Sequence, residues 1–186
     1  MGGLGLNKRG LRFARVNLSK KEVEMSDVID VGSRDVNGSL KKIILEKKPF
    51  DYLGVDIQAG KNVDQLFDIT KKIPSRFYEA FEVVLCFETI EHVKNWRKAI
   101  NNLKRLVAPR GVLLLSTRSK GFPKHNYPYD FWRFEKSDIK KIFSDFEILR
   151  LQKDNPRQAG VFLKARKPLN WRLPAPLLEI KPEAVI

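Results

Sequence analysis

The chain has 186 residues, 42% of them hydrophobic and 31% charged, which suits one domain with a sizeable core and excludes a disordered polymer. No apolar run reaches the roughly 20 residues of a membrane span, and the first ten residues carry Lys8 and Arg9 without the apolar stretch of a secretory signal, so a cytoplasmic setting is expected. The net charge of +14, from 36 Lys and Arg against 22 Asp and Glu, is compatible with nucleic acid or another polyanion, and also with lysine pairs solvated on helix faces.

Residues 1–25 are basic and weakly patterned, with Leu11, Phe13 and Val16 as apolar anchors, and are expected as an N-terminal extension or lid. A first strand is predicted over 27–31. A helix over 39–47 follows, with Leu40, Ile43 and Ile44 on one stripe, Asn37 or Ser39 available as N-cap, and Pro49 beyond its end. The second strand is expected over 52–56, ending in Asp56, and a weaker third over 63–66, just before Asp68. The β-branched and aromatic run 81–86 is the most strand-like in the chain. A helix over 95–107 buries Trp96, Ala99, Ile100, Leu103 and Val107, stops at Pro109-Arg110-Gly111, and leads into a fifth strand over 111–116.

The connection 117–135 is nineteen residues long, and connections of that size are more often functional than merely connective. A short helix over 137–143 follows, then strands over 146–152 and 161–165. The segment between those two strands is too short for a crossover helix, so they are expected to form an antiparallel hairpin. Residues 168–186, with four prolines, read as an extended tail. Strands alternating with helices imply an α/β, doubly wound, mostly parallel sheet.

In such a sheet a ligand lies beyond the carboxyl ends of the strands, where Asp30, Asp56 and Asp68 stand at three successive ends. Asp56, 24 residues after Gly32, is placed to accept hydrogen bonds from both hydroxyls of a ribose; a turn or helix-cap aspartate is the plainer alternative. Gly32 allows a close ligand approach or a positive φ. The loop lacks the Gly-x-Gly-x-x-Gly spacing of a dinucleotide site: Arg34 occupies the second glycine position and Gly38 comes six residues after Gly32. A nicotinamide-dependent oxidoreductase is therefore disfavoured. Asp30 and Asp35 suit a ligand that carries positive charge. The single cysteine, Cys86, excludes an internal disulfide, and two histidines with one cysteine cannot supply a usual structural zinc site, so no metal is expected.

The segments 30–38, 54–57, 62–68, 81–93 and 106–116 together resemble the motifs of class I S-adenosylmethionine-dependent methyltransferases, in particular the type 11 methyltransferase domain. The resemblance covers about residues 27–166 and departs from the family pattern at Arg34 and at Arg110, which stands where the first glycine of a Pro-Gly-Gly turn is usual. It implies a Rossmann-like seven-stranded sheet of order 3-2-1-4-5-7-6, a methyltransferase domain over 26–167, and S-adenosylmethionine as cofactor. It further implies that Asp30, Gly32, Ser33 and Gly38 surround the amino-acid end of the cofactor, that Asp56 holds the ribose and Asp68 the adenine amino group, and that Ile57 and Phe87 lie against the ring or the sulfonium.

Two histidines are candidates for catalytic proton transfer, His92 after the fourth strand and His125 in the long connection. His125 begins a run that resembles a His-x-Tyr-Pro-x-Asp-Tyr-Trp-Arg-Phe element of one subset of these enzymes, which makes Tyr127, Asp130, Trp132 and Arg133 substrate-side candidates. The same run reads alternatively as packing, with Trp132 and Phe134 in the core and Asp130 paired with Arg133. The acceptor itself has no signature. A nucleic-acid-binding or scaffold protein that keeps the fold without turnover is the alternative function.

Overall fold

The computed structural model describes residues 8–36, 38–125, 129–154, 159–173 and 180–185. Its centre is a seven-stranded sheet built from β1 (Asp27–Val31), β2 (Asp51–Asp56), β3 (Gln65–Leu66), β4 (Phe81–Phe87), β5 (Val107–Arg118), β7 (Glu147–Lys153) and β8 (Gly160–Arg166). The order is β3-β2-β1-β4-β5-β8-β7, parallel from β3 to β5 and antiparallel at β5–β8 and β7–β8. The expected order is therefore realised, and the last two strands of the sheet form the expected antiparallel hairpin. A separate short strand, β6 (Trp132–Arg133), lies outside the sheet and shifts the numbering by one.

The side-chain period of 2 along each strand divides the core into two layers. On β4, Val84 and Cys86 face one layer while Val83, Leu85 and Phe87 face the other. The first layer receives α4 (Trp96–Leu106) and α5 (Lys136–Ile142) through Trp96, Ala99, Ile100, Leu103, Ile139 and Ile142. The second receives α1 (Lys8–Asn17), α2 (Lys20–Val23) and α3 (Lys41–Leu45). Because both faces of the sheet are covered at its centre, β4 and the run 112–115 of β5 are apolar almost throughout.

Several expectations need correction. The stretch expected as an extension or lid folds, from Lys8 onward, into α1 and α2, which bury Phe13, Ala14, Leu18 and Val23 and so belong to the core. Ser19 and Glu22 form a reciprocal capping box that starts α2. Helix α3 spans five residues, not nine, and begins without a side-chain cap; Ser39 Oγ instead accepts from the Lys41 amide, and Asn37 lies outside the described residues. Strand β5 begins at Val107, because Pro109, which lacks an N–H, and Arg110, at φ 64°, are accommodated in an irregularity between the Phe81–Val107 and Val83–Val112 pairs.

The long connection and the tail are not simple coil. Strand β6 pairs antiparallel with β9 (Glu183–Ala184), Ile180 is buried, and Arg97 Nη2 donates to its carbonyl at 2.7 Å. The indole of Trp171 donates to Asp145 at 2.7 Å. No helix among the described residues is long and apolar enough to cross a membrane.

Candidate active site

The carboxyl ends of β1, β2 and β4 meet around Gly32. Its amide and that of Ser33 both donate to the Val55 carbonyl, at 2.8 and 3.1 Å, which ties the loop after β1 to the end of β2. Gly32 sits at φ 83°, and a Cβ there would lie 2.1 Å from Thr89 Oγ1. Glycine is thus required twice, by backbone conformation and by the approach of the segment after β4. Gly54, within β2, leaves the same kind of room: a Cβ would fall 2.1 Å from the Asn62 carbonyl. Ser33 is buried and donates through Oγ to that carbonyl, while Gly38 donates its amide to Asp35 Oδ1 at 2.9 Å.

Asp30 is buried, and Tyr52 Oη donates to its Oδ2 at 2.7 Å. Burial pushes its carboxyl up to about 6; the bond from Tyr52 and the charge of Lys41 pull the other way, and nearby Asp56 adds to the rise. Asp56 is half-buried, with Oδ1 accepting from the Gln58 amide at 2.9 Å and Oδ2 from the Arg34 amide at 3.4 Å. Each oxygen retains a lone pair for a further donor. Asp68 Oδ1 accepts from both the amide and the hydroxyl of Thr70. The three carboxylates stand near the ends of β1, β2 and β3, as the sequence places them.

Ile57 is 67% exposed next to Asp56. Leu66, which pairs with Asp56 in register, is 61% exposed, giving an apolar surface that sequence reasoning missed on its Leu66 side. Phe87 is the other residue expected against the ring or the sulfonium. Its side chain is buried in the second core layer because it continues the alternation of Val83 and Leu85, and its carbonyl accepts from Thr89 Oγ1. The Arg34 guanidinium bonds Gln58 Oε1, and its methylenes pass close to Gly60.

Beyond β4 the chain makes one 3₁₀ turn, Ile90–His92. Glu91 is fully buried and accepts from Thr117 Oγ1 at 3.0 Å, and the His92 ring stands edge-on to His125 with centroids 4.9 Å apart. The two expected catalytic histidines, separated by 33 positions, are therefore neighbours. Burial holds the His125 imidazole below its usual value, against the opposing charge of Asp130. Glu88, at φ 50°, pairs with Arg118 and accepts from Ser116 Oγ; burial and the charge of Glu91 push its carboxyl up to about 7. Sequence reasoning gave no role to Glu88 or Arg118.

The expected substrate-side residues are engaged with one another. Arg133 is buried and grips both oxygens of buried Asp130 at 2.6 Å, with further bonds to the carbonyls of Phe122, Pro123 and Trp132. Trp132 Nε1 donates to the Val93 carbonyl at 3.0 Å, and Phe134 packs edge-on against Trp96. These contacts follow the packing alternative: they fix the wall of the site. Tyr127 lies outside the described residues.

Residues 7–155 match the model of a family described as a methyltransferase domain. The ubiquinone biosynthesis O-methyltransferase of Erwinia tasmaniensis is 26% identical over 123 residues, which is 66% of this chain and 45% of that protein, so the chain spans less than half the length of that curated relative. Among solved structures, NodS, an N-methyltransferase of Bradyrhizobium japonicum in complex with S-adenosylhomocysteine, superposes with a TM-score of 0.65 at 13% identity, covering 88% of this chain and 90% of that one. The 1,6-didemethyltoxoflavin-N1-methyltransferase of Burkholderia thailandensis, with 1,6-didemethyltoxoflavin and S-adenosylhomocysteine bound, gives a TM-score of 0.65 at 13% identity over 85% and 78% of the two chains.

Proposed function

Because this chain belongs to the class I S-adenosylmethionine-dependent methyltransferase domain family, we propose that it binds S-adenosylmethionine at the Gly32 loop and transfers its methyl group to an acceptor. The observation that carries this reading is the set of carboxylates at the ends of three adjacent strands, around a loop whose glycine leaves no room for a side chain. The cofactor has an ammonium, a sulfonium and a ribose diol, and each is a partner for an acid.

In this reading Asp30, with the backbone of Gly32, Ser33 and Gly38, faces the amino-acid end, Asp56 accepts from the ribose hydroxyls, and Asp68 accepts from the adenine amino group. Ile57 and Leu66 offer apolar cover for the adenine ring. Methyl transfer is an in-line displacement: a lone pair of the acceptor forms a bond to the methyl carbon, the carbon–sulfur bond breaks, and its electrons return to sulfur, leaving S-adenosylhomocysteine. The sulfonium is already activated, so the protein's task is alignment and exclusion of water. Where the acceptor must lose a proton, the His92–His125 pair is the proposed base.

The setting is read as cytoplasmic, from composition. The net charge of +14 is compatible with an anionic acceptor or partner, and a retained fold that binds nucleic acid without turnover is the competing reading. Calorimetry of the purified chain with S-adenosylhomocysteine tests the cofactor site: binding that depends on Asp56 is expected, and none would sink the proposal. Radiolabelled methyl transfer to RNA and to small-molecule pools, with RNA binding followed against salt, separates turnover from mere binding.

A further inference from the structure

We propose that Glu91, His92 and His125 form a binding site for one divalent transition-metal ion of the zinc class. One potential ligand atom from each residue lies within 4.8 Å of the others. Ligands at zinc–nitrogen and zinc–oxygen distances stand about 3.4 Å apart in a tetrahedral site, so small side-chain rotations close the set on an ion.

Two independent features prepare these side chains for coordination. Glu91 is wholly buried, and while its Oε2 is held by Thr117, its Oε1 has no hydrogen-bond partner among the described residues. A buried carboxylate oxygen without a donor is costly unless a cation satisfies it. Each imidazole is also oriented from its far side. His92 Nδ1 contacts the carbonyl of Tyr129, which can only accept, so Nδ1 carries the proton and Nε2 keeps its lone pair. His125 Nδ1 stands 2.9 Å from Asp130 Oδ2, so a carboxylate flanks the second imidazole as well. Outer-shell carbonyl and carboxylate partners of this kind set the tautomer and basicity of metal-binding histidines. Asp130 is in turn fixed by Arg133, which gives the buried pair a purpose besides packing.

Two nitrogens and one carboxylate suit zinc, iron or cobalt far better than magnesium or calcium, and three protein ligands leave a position open for water or an acceptor oxygen. The site lies directly after β4, and Thr89, two residues before Glu91, touches Gly32, so such an ion would sit beside the proposed cofactor loop. The ligand set does not depend on the cofactor reading.

The full chain, stripped with a chelator, should take up one equivalent of Zn2+ by calorimetry and of Co2+ by its visible absorption, with the spectrum of a low-coordinate site. Glu91→Gln, His92→Gln and His125→Gln should each weaken uptake by about a hundredfold or more, and the positioning variant Asp130→Asn by about tenfold to a hundredfold. S-adenosylhomocysteine binding and thermal unfolding, measured on every variant, report whether the fold survives, and His92→Gln, at a half-exposed position, is the least disruptive. A folded wild type that takes up neither ion overturns the proposal, as does uptake unchanged in the three ligand variants. Loss of S-adenosylhomocysteine binding with metal uptake intact would instead count against the cofactor reading alone.

Discussion

Tyr52 Oη donates a 2.7 Å hydrogen bond to Asp30 Oδ2 inside the core layer beneath the Gly32 loop, so a carboxylate proposed to face the cofactor is buried together with the phenol that holds it. Burial raises the Asp30 carboxyl from 3.8 to about 6. The folded state therefore holds a proton that the unfolded chain releases between those values, and the stability from this group is complete below 3.8 and lost as pH rises through 6. The loss is on the order of 2–3 kcal/mol. Urea unfolding from pH 4 to pH 7 should show this decline in the wild type and not in Asp30→Asn. Tyr52→Phe removes a bond that favours the ionised form, so its decline should run on to higher pH and be larger.

Gly32 and Gly54 are both too crowded for a side chain, but against different neighbours. Gly32→Ala would set its Cβ against the Thr89 side chain and hold alanine at φ 83°, whereas Gly54→Ala would meet the Asn62 backbone carbonyl. Each should lower stability by about 1–3 kcal/mol or more. Adding Thr89→Gly to Gly32→Ala should restore part of the loss, since only the φ strain then remains. No side-chain deletion should restore as much at Gly54, where backbone itself is in the way. Thermal unfolding of the singles and the double decides between these outcomes.

Arg133 supplies both nitrogens of a buried fork to Asp130 and caps the carbonyls of Phe122 and Pro123. Arg133→Met leaves the Asp130 charge buried without its partner and should cost about 3–5 kcal/mol. Arg133→Lys keeps the charge but not the planar fork, and should still lose a large part of that. Asp130 itself is held below the usual carboxylate range: burial works against this, and Arg133 with the His125 amide prevails. Its contribution is present above the unfolded value of 3.8 and is lost as pH falls below it. The stability gap between wild type and Arg133→Met should therefore be full above about pH 4 and shrink as the pH falls below it.

The sheet was legible because its signals are local. The run 83–87 alternates between two core layers, and the short link between β7 and β8 forces them antiparallel. The acids at strand ends could be placed for the same reason. The N-terminal helices carried a readable signal that went unused, the Ser19-x-x-Glu22 capping box with Phe13, Ala14 and Leu18 at helical spacing. The β6–β9 pair was not legible, since two-residue strands about 50 positions apart leave no periodicity. Nor was the meeting of His92 with His125, or the approach of Asp130 to His125, because these depend on how the connection after β5 folds back onto the turn after β4.

Arg34, where the family pattern has a glycine, raises the question of whether the cofactor loop is obstructed. Its backbone amide supports Asp56 Oδ2, a role that any residue but proline can fill, and its guanidinium is turned to Gln58 with its methylenes over Gly60. The side chain thus links the loops after β1 and β2. Arg34→Ala is therefore expected to change S-adenosylhomocysteine affinity by less than about tenfold, while Asp56→Ala, which removes charge-assisted bonds worth about 1.5–3 kcal/mol, should weaken it by about tenfold to a hundredfold. Calorimetry on the two variants separates them. A gain of more than tenfold in Arg34→Ala would mean that the arginine obstructs the ribose site, and equal losses in both would mean that the link between the loops, more than the carboxylate, holds the cofactor.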